Sequence, residues 1–302
     1  MGISSYKERR AQIAIRTLPT STSPVNIDCG FAYEDPCFDS IRKFTAPFVE
    51  CTTVLYTTNI GAYNDISPLN IIPDLKNTCV FLFIDGITSA VYSTQLLNLQ
   101  KKQPFWKVHV IMDIVGSTQF LVRVLKLLAH RFFPYARRSL YFDGKISFKE
   151  GVLKFLDLAL MDGRVFVAAP HPEPERTAYT EAAKTYEHLQ AYMKIGGARM
   201  GRRKDLFDLD AQYSQYKLEK YEPSGFMFDT HFVARVHTPE VALFECAWIS
   251  DVGEFSHREQ VSIVHVADIL GMRPMLSALN DTPYVRVKRH KILEGVHFQL
   301  RV

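Results

Sequence analysis

No apolar run in this chain of 302 residues approaches the roughly 20 residues that a membrane-spanning helix requires. The amino-terminal stretch also lacks the apolar core of a secretory signal, so the chain as written is expected to be soluble. Gly2 invites comparison with a myristoylation signal, but that pattern wants Ser or Thr where this sequence has Tyr6. The 5 cysteines, Cys29, Cys37, Cys51, Cys79 and Cys246, contain no CxxC spacing, which argues against a structural zinc site. Buried thiols are the plain expectation, and a Cys29–Cys51 disulfide is the sharper alternative in an oxidising compartment. Neither G-x-x-x-x-G-K-S/T nor G-x-G-x-x-G occurs, which disfavours a phosphoryl-transfer enzyme built on a glycine-rich loop. A formal net charge of only +4, with basic residues scattered or in short clusters at 199–204 and 286–291, argues against a dedicated duplex-DNA binder, which would show a strongly basic face. It leaves room for a local anion such as a phosphate. There are no internal repeats and no low-complexity tract.

What is present is an ordinary globular composition, 47% apolar and 23% charged, enough to bury a sizeable core. Residues 1–26 are polar and end in a Thr/Ser/Pro-rich segment, which reads as an arm or linker. From residue 27 onward, β-branched and aromatic runs alternate with helical patterns. TTVLYTTN, CVFLFID, WKVHVIMD, SLYF, GRVFVAAP and GFMFDTHFVARVH read as strands. SAVYSTQLLNLQ, QFLVRVLKLLAHRFFP, KEGVLKFLDLALMD, the stretch up to Gly196-Gly197, TPEVALFECAWISDVGEF and SHREQVSIVHVADILG read as helices. The residues after Gly197 read as a basic surface segment. Such alternation predicts an α/β fold, a mostly parallel sheet flanked by helices in a single large domain of residues 27–302.

Several charged groups stand where a core would not need them. Arg123, Lys126 and His130 share one helical pattern, Asp143-Gly144-Lys145 ends a strand, and HREQ opens a helix. Each has a plain reading: a solvated helix face, a turn, and a capping box from Ser256 to Glu259. Asp85, Asp113 and Asp143 all fall at strand carboxyl ends, where open α/β sheets bind ligands. Together these residues suggest a diphosphate site, because cationic side chains neutralise phosphate and carboxylates hold hard cations.

VRVLKLLAHRFFPYARRSLYFDGKISF closely resembles the motif of the glycosyltransferase family that contains plant rhamnogalacturonan-I galacturonosyltransferases and TOD-like hexosyltransferases. CGFAYED, FVECTTVLYTTNIGAYNDI, NTCVFLFID, HPEPERTAYTEA and THFVARVHTPEVALFECAWISDVGEFSHREQVSIVHV match in the same order, over about residues 27–270. The resemblance implies a GT-A fold, with a nucleotide-sugar-binding half at 27–150 and an acceptor-binding half at 151–302. It implies a UDP-sugar donor carrying a hexose or uronic acid, a glycan or glycolipid acceptor, retention at the anomeric carbon, and no nucleic-acid partner.

Asp143 resembles the counterpart of the Asp-x-Asp motif that holds Mn²⁺ or Mg²⁺ against the donor diphosphate, although Lys145 stands where the second Asp belongs. Thr57, Gly61 and Tyr63, in the loop after the first strand, join Arg123, Lys126, Asp143, Gly144 and Lys145 as expected donor-binding residues. His171, Arg176, Glu181 and Arg258 are expected to bind acceptor or sugar. Glu259 and Gln260, matching an Arg-Asp-Gln motif with Glu for Asp, are the expected catalytic pair. His290 is a candidate late metal ligand, against the plain reading of a solvated basic strand, while Trp106 and Trp248 are expected in the core. The departures at Lys145 and Glu259 keep open the alternative of a catalytically inactive nucleotide-sugar-binding relative. Plant members are Golgi membrane proteins with an N-terminal anchor that this sequence does not carry. The resemblance therefore points to the Golgi, to the cytoplasm for a microbial or viral member, or to an incomplete gene product.

Overall fold

The computed structural model describes residues 29, 36–64, 66, 68–69, 76–112, 114, 117–194, 200–223 and 225–287. The expected arm at 1–26, Asp113 and His290 lie outside the described residues.

The central sheet has seven strands in the order β3-β2-β1-β4-β7-β6-β8. They are β1 (Thr53–Asn59), β2 (Thr78–Asp85), β3 (Trp106–Ile111), β4 (Arg138–Phe142), β6 (Phe166–Pro170), β7 (Phe228–Val236) and β8 (Leu276–Ala278). Strands β1 to β4 pair in parallel, as do β6 and β8, while β7 runs antiparallel to both β4 and β6. A second, two-stranded antiparallel sheet joins β5 (Ile146–Phe148) to the sequence-distant β9 (Val285–Val287). Every residue of β1, and all but the first of β2, is buried. A strand covered on both faces favours a continuous apolar run, which is how β2 reads, whereas β1 also buries Thr53, Thr57, Thr58 and Asn59. Successive side chains feed two cores: Tyr56, Phe81 and Phe83 pack with Leu125 and Trp248, while Leu55, Leu82 and Ile84 pack with Leu96 and Phe155. Both tryptophans are in the core, as expected.

The helices are α1 (Pro36–Thr45), α2 (Gly86–Val91), α3 (Ser93–Lys102), α4 (Thr118–Leu127), α5 (Ala129–Phe132), α6 (Val152–Ala159), α7 (Ala178–Lys194), α8 (Met200–Leu218), α9 (Pro239–Glu254) and α10 (Glu259–Ile269). Two of them correct the sequence reading. The single helix expected at 119–134 divides at Leu128, which leaves helical geometry (φ −107, ψ 41) and separates α4 from the short α5. The expected basic surface segment is the start of α8, held down further along by buried Leu209, Gln212 and Tyr216 at helical spacing.

The cysteines are corrected as well. Cys29 pairs with Cys246 and Cys51 with Cys79, in place of a Cys29–Cys51 bridge or buried thiols throughout. The second pairing joins the entrances of two neighbouring strands. The parallel β1–β2 ladder sets Cys79 opposite Val54, and the turn ahead of β1, closed by Cys51 N–H on the Phe48 carbonyl, brings Cys51 to a Cα–Cα distance of 5.6 Å from Cys79.

Candidate active site

A cavity of about 540 Å³ opens at the carboxyl ends of β1 and β4, the edge at which open α/β sheets receive ligands. Strand β7 runs the other way and so presents its amino end there. Asp229, Thr230 and His231 thereby join Thr58, Asn59 and Asp143 in the cavity wall.

One wall rests on a buried ion cluster. Glu259, the first residue of α10, accepts from Lys126 Nζ at 2.8 Å and from Thr230 Oγ1 at 3.0 Å, while Arg123 Nε stands 2.6 Å from its other oxygen. Arg123 and Lys126 are three apart and share a face of α4. Val124, Leu125 and Leu127 pack that helix onto the core, so the cationic face turns inward. Burial alone would push the Glu259 carboxyl up, but Arg123, Lys126 and Arg258 outweigh it and hold the group far below the usual carboxylate range.

The capping box expected of Ser256 and Glu259 does not form. Ser256 Oγ accepts from the Arg258 N–H at 3.0 Å, and α10 begins without a side-chain cap. Two cations in a poorly solvated site attract the carboxylate more strongly than a helix-end N–H does.

Opposite β7, the Asp143-Gly144-Lys145 segment is both a turn and a charged wall. Ile146 N–H closes the turn on the Asp143 carbonyl at 2.9 Å. The Tyr141 hydroxyl donates to Asp143 Oδ1 at 3.1 Å, and Lys145 Nζ lies 3.6 Å from Oδ2.

A third group is centred on Asp229. Gln260 Nε2 donates to Asp229 Oδ1 at 3.0 Å, and buried Gln260 Oε1 has no hydrogen-bond partner among the described residues. His231 lies between two carboxylates, with Nδ1 3.1 Å from Asp229 Oδ2 and Nε2 2.8 Å from Asp281 Oδ2. Burial opposes charge on both members. Even so, Asp229 and Asp281 push His231 up to about 9, while His231, Lys126 and Lys145 hold Asp229 well below the ordinary range.

A Mn²⁺ or Mg²⁺ site needs several hard oxygen donors. Among the described residues, no group of three His, Cys, Asp or Glu side chains gathers at Asp143. Its carboxylate is answered by Tyr141 and Lys145, and that of Asp229 by His231 and Gln260. These residues by themselves do not fit a divalent cation.

The chain matches the family described as TOD1/MUCI70, glycosyltransferase-like domain, over residues 2–288. It belongs to that family. The probable hexosyltransferase MUCI70 of Arabidopsis thaliana is 24% identical over 262 residues, covering 81% of this chain and 43% of that protein. Alkaline ceramidase TOD1 of the same plant is 22% identical over 264 residues, covering 82% and 54%. The chain thus spans about half the length of the curated relatives it matches. Among solved structures, mouse xyloside xylosyltransferase 1 is 12% identical with a TM-score of 0.43, covering 76% of this chain and 86% of that one.

In this TOD1/MUCI70 member, Tyr63, Arg123, Lys126, Asp143, Gly144, Lys145, Arg258, Glu259 and Gln260 all line the cavity. Thr57 and Gly61 do not. Thr57 alternates away from Thr58 along β1. Gly61 shapes the following loop at φ 77, donating its N–H to Asp85 Oδ2 at 3.0 Å. Asp85 is therefore a loop anchor and the N-cap of α2. His171, Arg176 and Glu181 also lie off the cavity. Glu181 Oε1 accepts from Arg258 Nε and Nη2 at 2.8 and 2.7 Å, while Arg176 Nε and His171 Nε2 lie 3.6 and 3.8 Å from its other oxygen. This cluster aims Arg258 at the cavity edge. His130 leaves the group altogether, because the break at Leu128 turns it into the core. Asp229, Thr230 and His231 escape a reading of the sequence pattern; their one signal is a polar triplet inside the buried run FDTHFVARV.

Proposed function

We propose that the chain transfers a hexose or uronic acid from a UDP-sugar to a glycan or glycolipid acceptor with retention. The observation that carries this reading is the cavity itself, where Arg123, Lys145 and Arg258 stand beside the Gln260–Asp229 pair. Cleavage of the bond from the anomeric carbon sends an electron pair onto the departing diphosphate, and preorganised cations are what such a charge requires. Lys145 and Arg258 meet the diphosphate, with Arg123 behind them. The loop from Asn59 to Asn64, clasped by Asn59 Nδ2 on the Asn64 carbonyl at 2.5 Å, supports the nucleotide. Gln260 Oε1 accepts from a donor-sugar hydroxyl. The acceptor oxygen adds to the face the diphosphate leaves, and its proton passes to a phosphate oxygen.

A UDP-sugar panel read by thermal shift, followed by UDP release with and without acceptor, tests the reading. One sugar nucleotide should raise the melting temperature and be turned over. A shift without UDP release in any acceptor screen would favour the inactive nucleotide-sugar-binding alternative. No shift with any UDP-sugar, together with fatty acid release from a ceramide, would move the chain toward the activity that names its relative TOD1. A chelator arm reads the Mn²⁺ or Mg²⁺ that the resemblance places on Asp143: turnover that survives EDTA assigns the diphosphate to the cationic side chains alone.

A further inference from the structure

Away from the cavity, Cys29, His130 and Cys246 meet in the larger core, each 2% exposed or less. None of the three lines the candidate active site. His130 Nε2 lies 4.0 Å from Cys29 Sγ and 3.8 Å from Cys246 Sγ. The other ring nitrogen, Nδ1, lies 2.7 Å from Glu245 Oε2, and the second Glu245 oxygen is bonded by fully buried Arg235. With Nδ1 taken up by the Glu245 carboxylate, Nε2 is the ring nitrogen that faces the two sulfurs.

In the disulfide form neither sulfur carries a proton to donate. Nε2 then has two weakly polar sulfurs beside it in the core. Two sulfurs and one imidazole nitrogen, with a carboxylate behind the imidazole, are the donor set of a zinc centre and its supporting shell. The absence of a CxxC spacing hides this, because the ligands come from 29, 130 and 246, on the segment ahead of α1 and on α5 and α9.

We propose that Cys29, His130 and Cys246 form a redox-gated binding site for a soft d10 cation, with Zn²⁺ as its ion. A dithiol reductant gives two electrons and two protons to the Cys29–Cys246 disulfide, yielding two thiols and an oxidised, cyclic disulfide reductant. Zinc then displaces the two thiol protons to water, and both thiolates and His130 Nε2 donate lone pairs to it. In the reverse step a disulfide oxidant takes two electrons from the two thiolates and two protons from water, leaves as a dithiol, and the re-formed Cys29–Cys246 disulfide expels the ion. Glu245 and Arg235 orient His130 and do not touch the metal. Because Cys29 precedes α1 and Cys246 belongs to α9, either form ties the same two parts of the fold together, and zinc replaces the covalent link in a reducing compartment.

The full chain, reduced anaerobically with a dithiol and then freed of it, is titrated with Zn²⁺ and with Co²⁺. Elemental analysis, circular dichroism and the cobalt absorption spectrum are the readouts. One tightly held equivalent is expected, with thiolate-to-cobalt charge-transfer bands that vanish on reoxidation. Cys246→Ser should abolish those bands, His130→Gln should weaken binding by about 10- to 100-fold or more, and Cys51→Ser should leave them in place. A reduced chain that loses its fold without metal and regains it with zinc also supports the site. Reduced, folded protein that takes up neither ion overturns it. So does a chain that stays unfolded on reduction with zinc present, which would make the disulfide a permanent staple. Cobalt bands that survive Cys246→Ser and disappear in Cys51→Ser would place the ion at the Cys51–Cys79 pair instead.

Discussion

Gln260 and Glu259 are neighbours in the chain with different partners. Glu259 is the shared counter-charge of Lys126 and Arg123, so Glu259→Gln leaves two cations undercompensated in a buried site. That change should cost about 3 kcal/mol of stability, read as a fall in the denaturation midpoint. Among the described residues, Gln260 bonds Asp229 and keeps one oxygen without a donor. On the proposed reaction, Gln260→Ala should lower kcat by roughly 100-fold with little change in melting temperature. Equal stability losses in the two variants would contradict the division of roles. His231 makes a pH prediction. Its folded-state pKa, raised to about 9 from 6.5 by Asp229 and Asp281, contributes stability that is complete below about pH 6.5 and lost as pH rises through about 9. At about 1.4 kcal/mol per pH unit this is worth at most about 3 kcal/mol. Urea midpoints taken across that range should fall for the wild type and stay flatter for His231→Gln; parallel slopes would remove His231 as the source.

At the scale of elements, the loop after β1 is a support for the cavity wall. Gly61 adopts φ 77 with open space where a Cβ would go, so Gly61→Ala meets backbone strain without a clash and should cost about 1–2 kcal/mol. Because Gly61 N–H binds Asp85 and Ala62 N–H binds Thr88 Oγ1 at 2.8 Å, the same change should loosen Tyr63. Calorimetry should then show weaker UDP binding; an unchanged affinity would separate this loop from the nucleotide. The strand and helix types were legible because long apolar runs and helical periodicity are local properties. The break at Leu128 was not legible, since nothing in QFLVRVLKLLAHRFFP marks it and only packing against α9 and the sheet determines it. Nor was the fate of the SHREQ box, because a cap competes with cations 133 and 136 positions away in sequence.

For the whole molecule, β7 lies between β4 and β6, so residues from both expected halves share one sheet and one cavity. The Cys51–Cys79 disulfide, with a sequence separation of 28, ties β1 to β2 at the end away from that cavity. Cys79→Ser should lower stability by about 2–4 kcal/mol in non-reducing buffer and leave the site chemistry unaltered. If the variant and the wild type unfold at the same denaturant concentration without reductant, the bridge contributes nothing.

By itself the sequence determined the α/β class, most strands and helices, the core placement of Trp106 and Trp248, and the motif residues that gather at one sheet edge. The class, the elements and the core placement follow from hydrophobic periodicity; the motif residues came through the family resemblance, and of the described strand-end aspartates Asp143 lines the cavity while Asp85 anchors a loop. Only the tertiary structure decided that Lys126 and Glu259 are buried partners, that Asp229 and His231 belong to the cavity, that Glu181 aims Arg258, and which cysteines meet. Each of those outcomes depends on the reversed β7 and on helix packing, which bring together groups that are remote along the chain and whose energies exist only once water has been excluded between them.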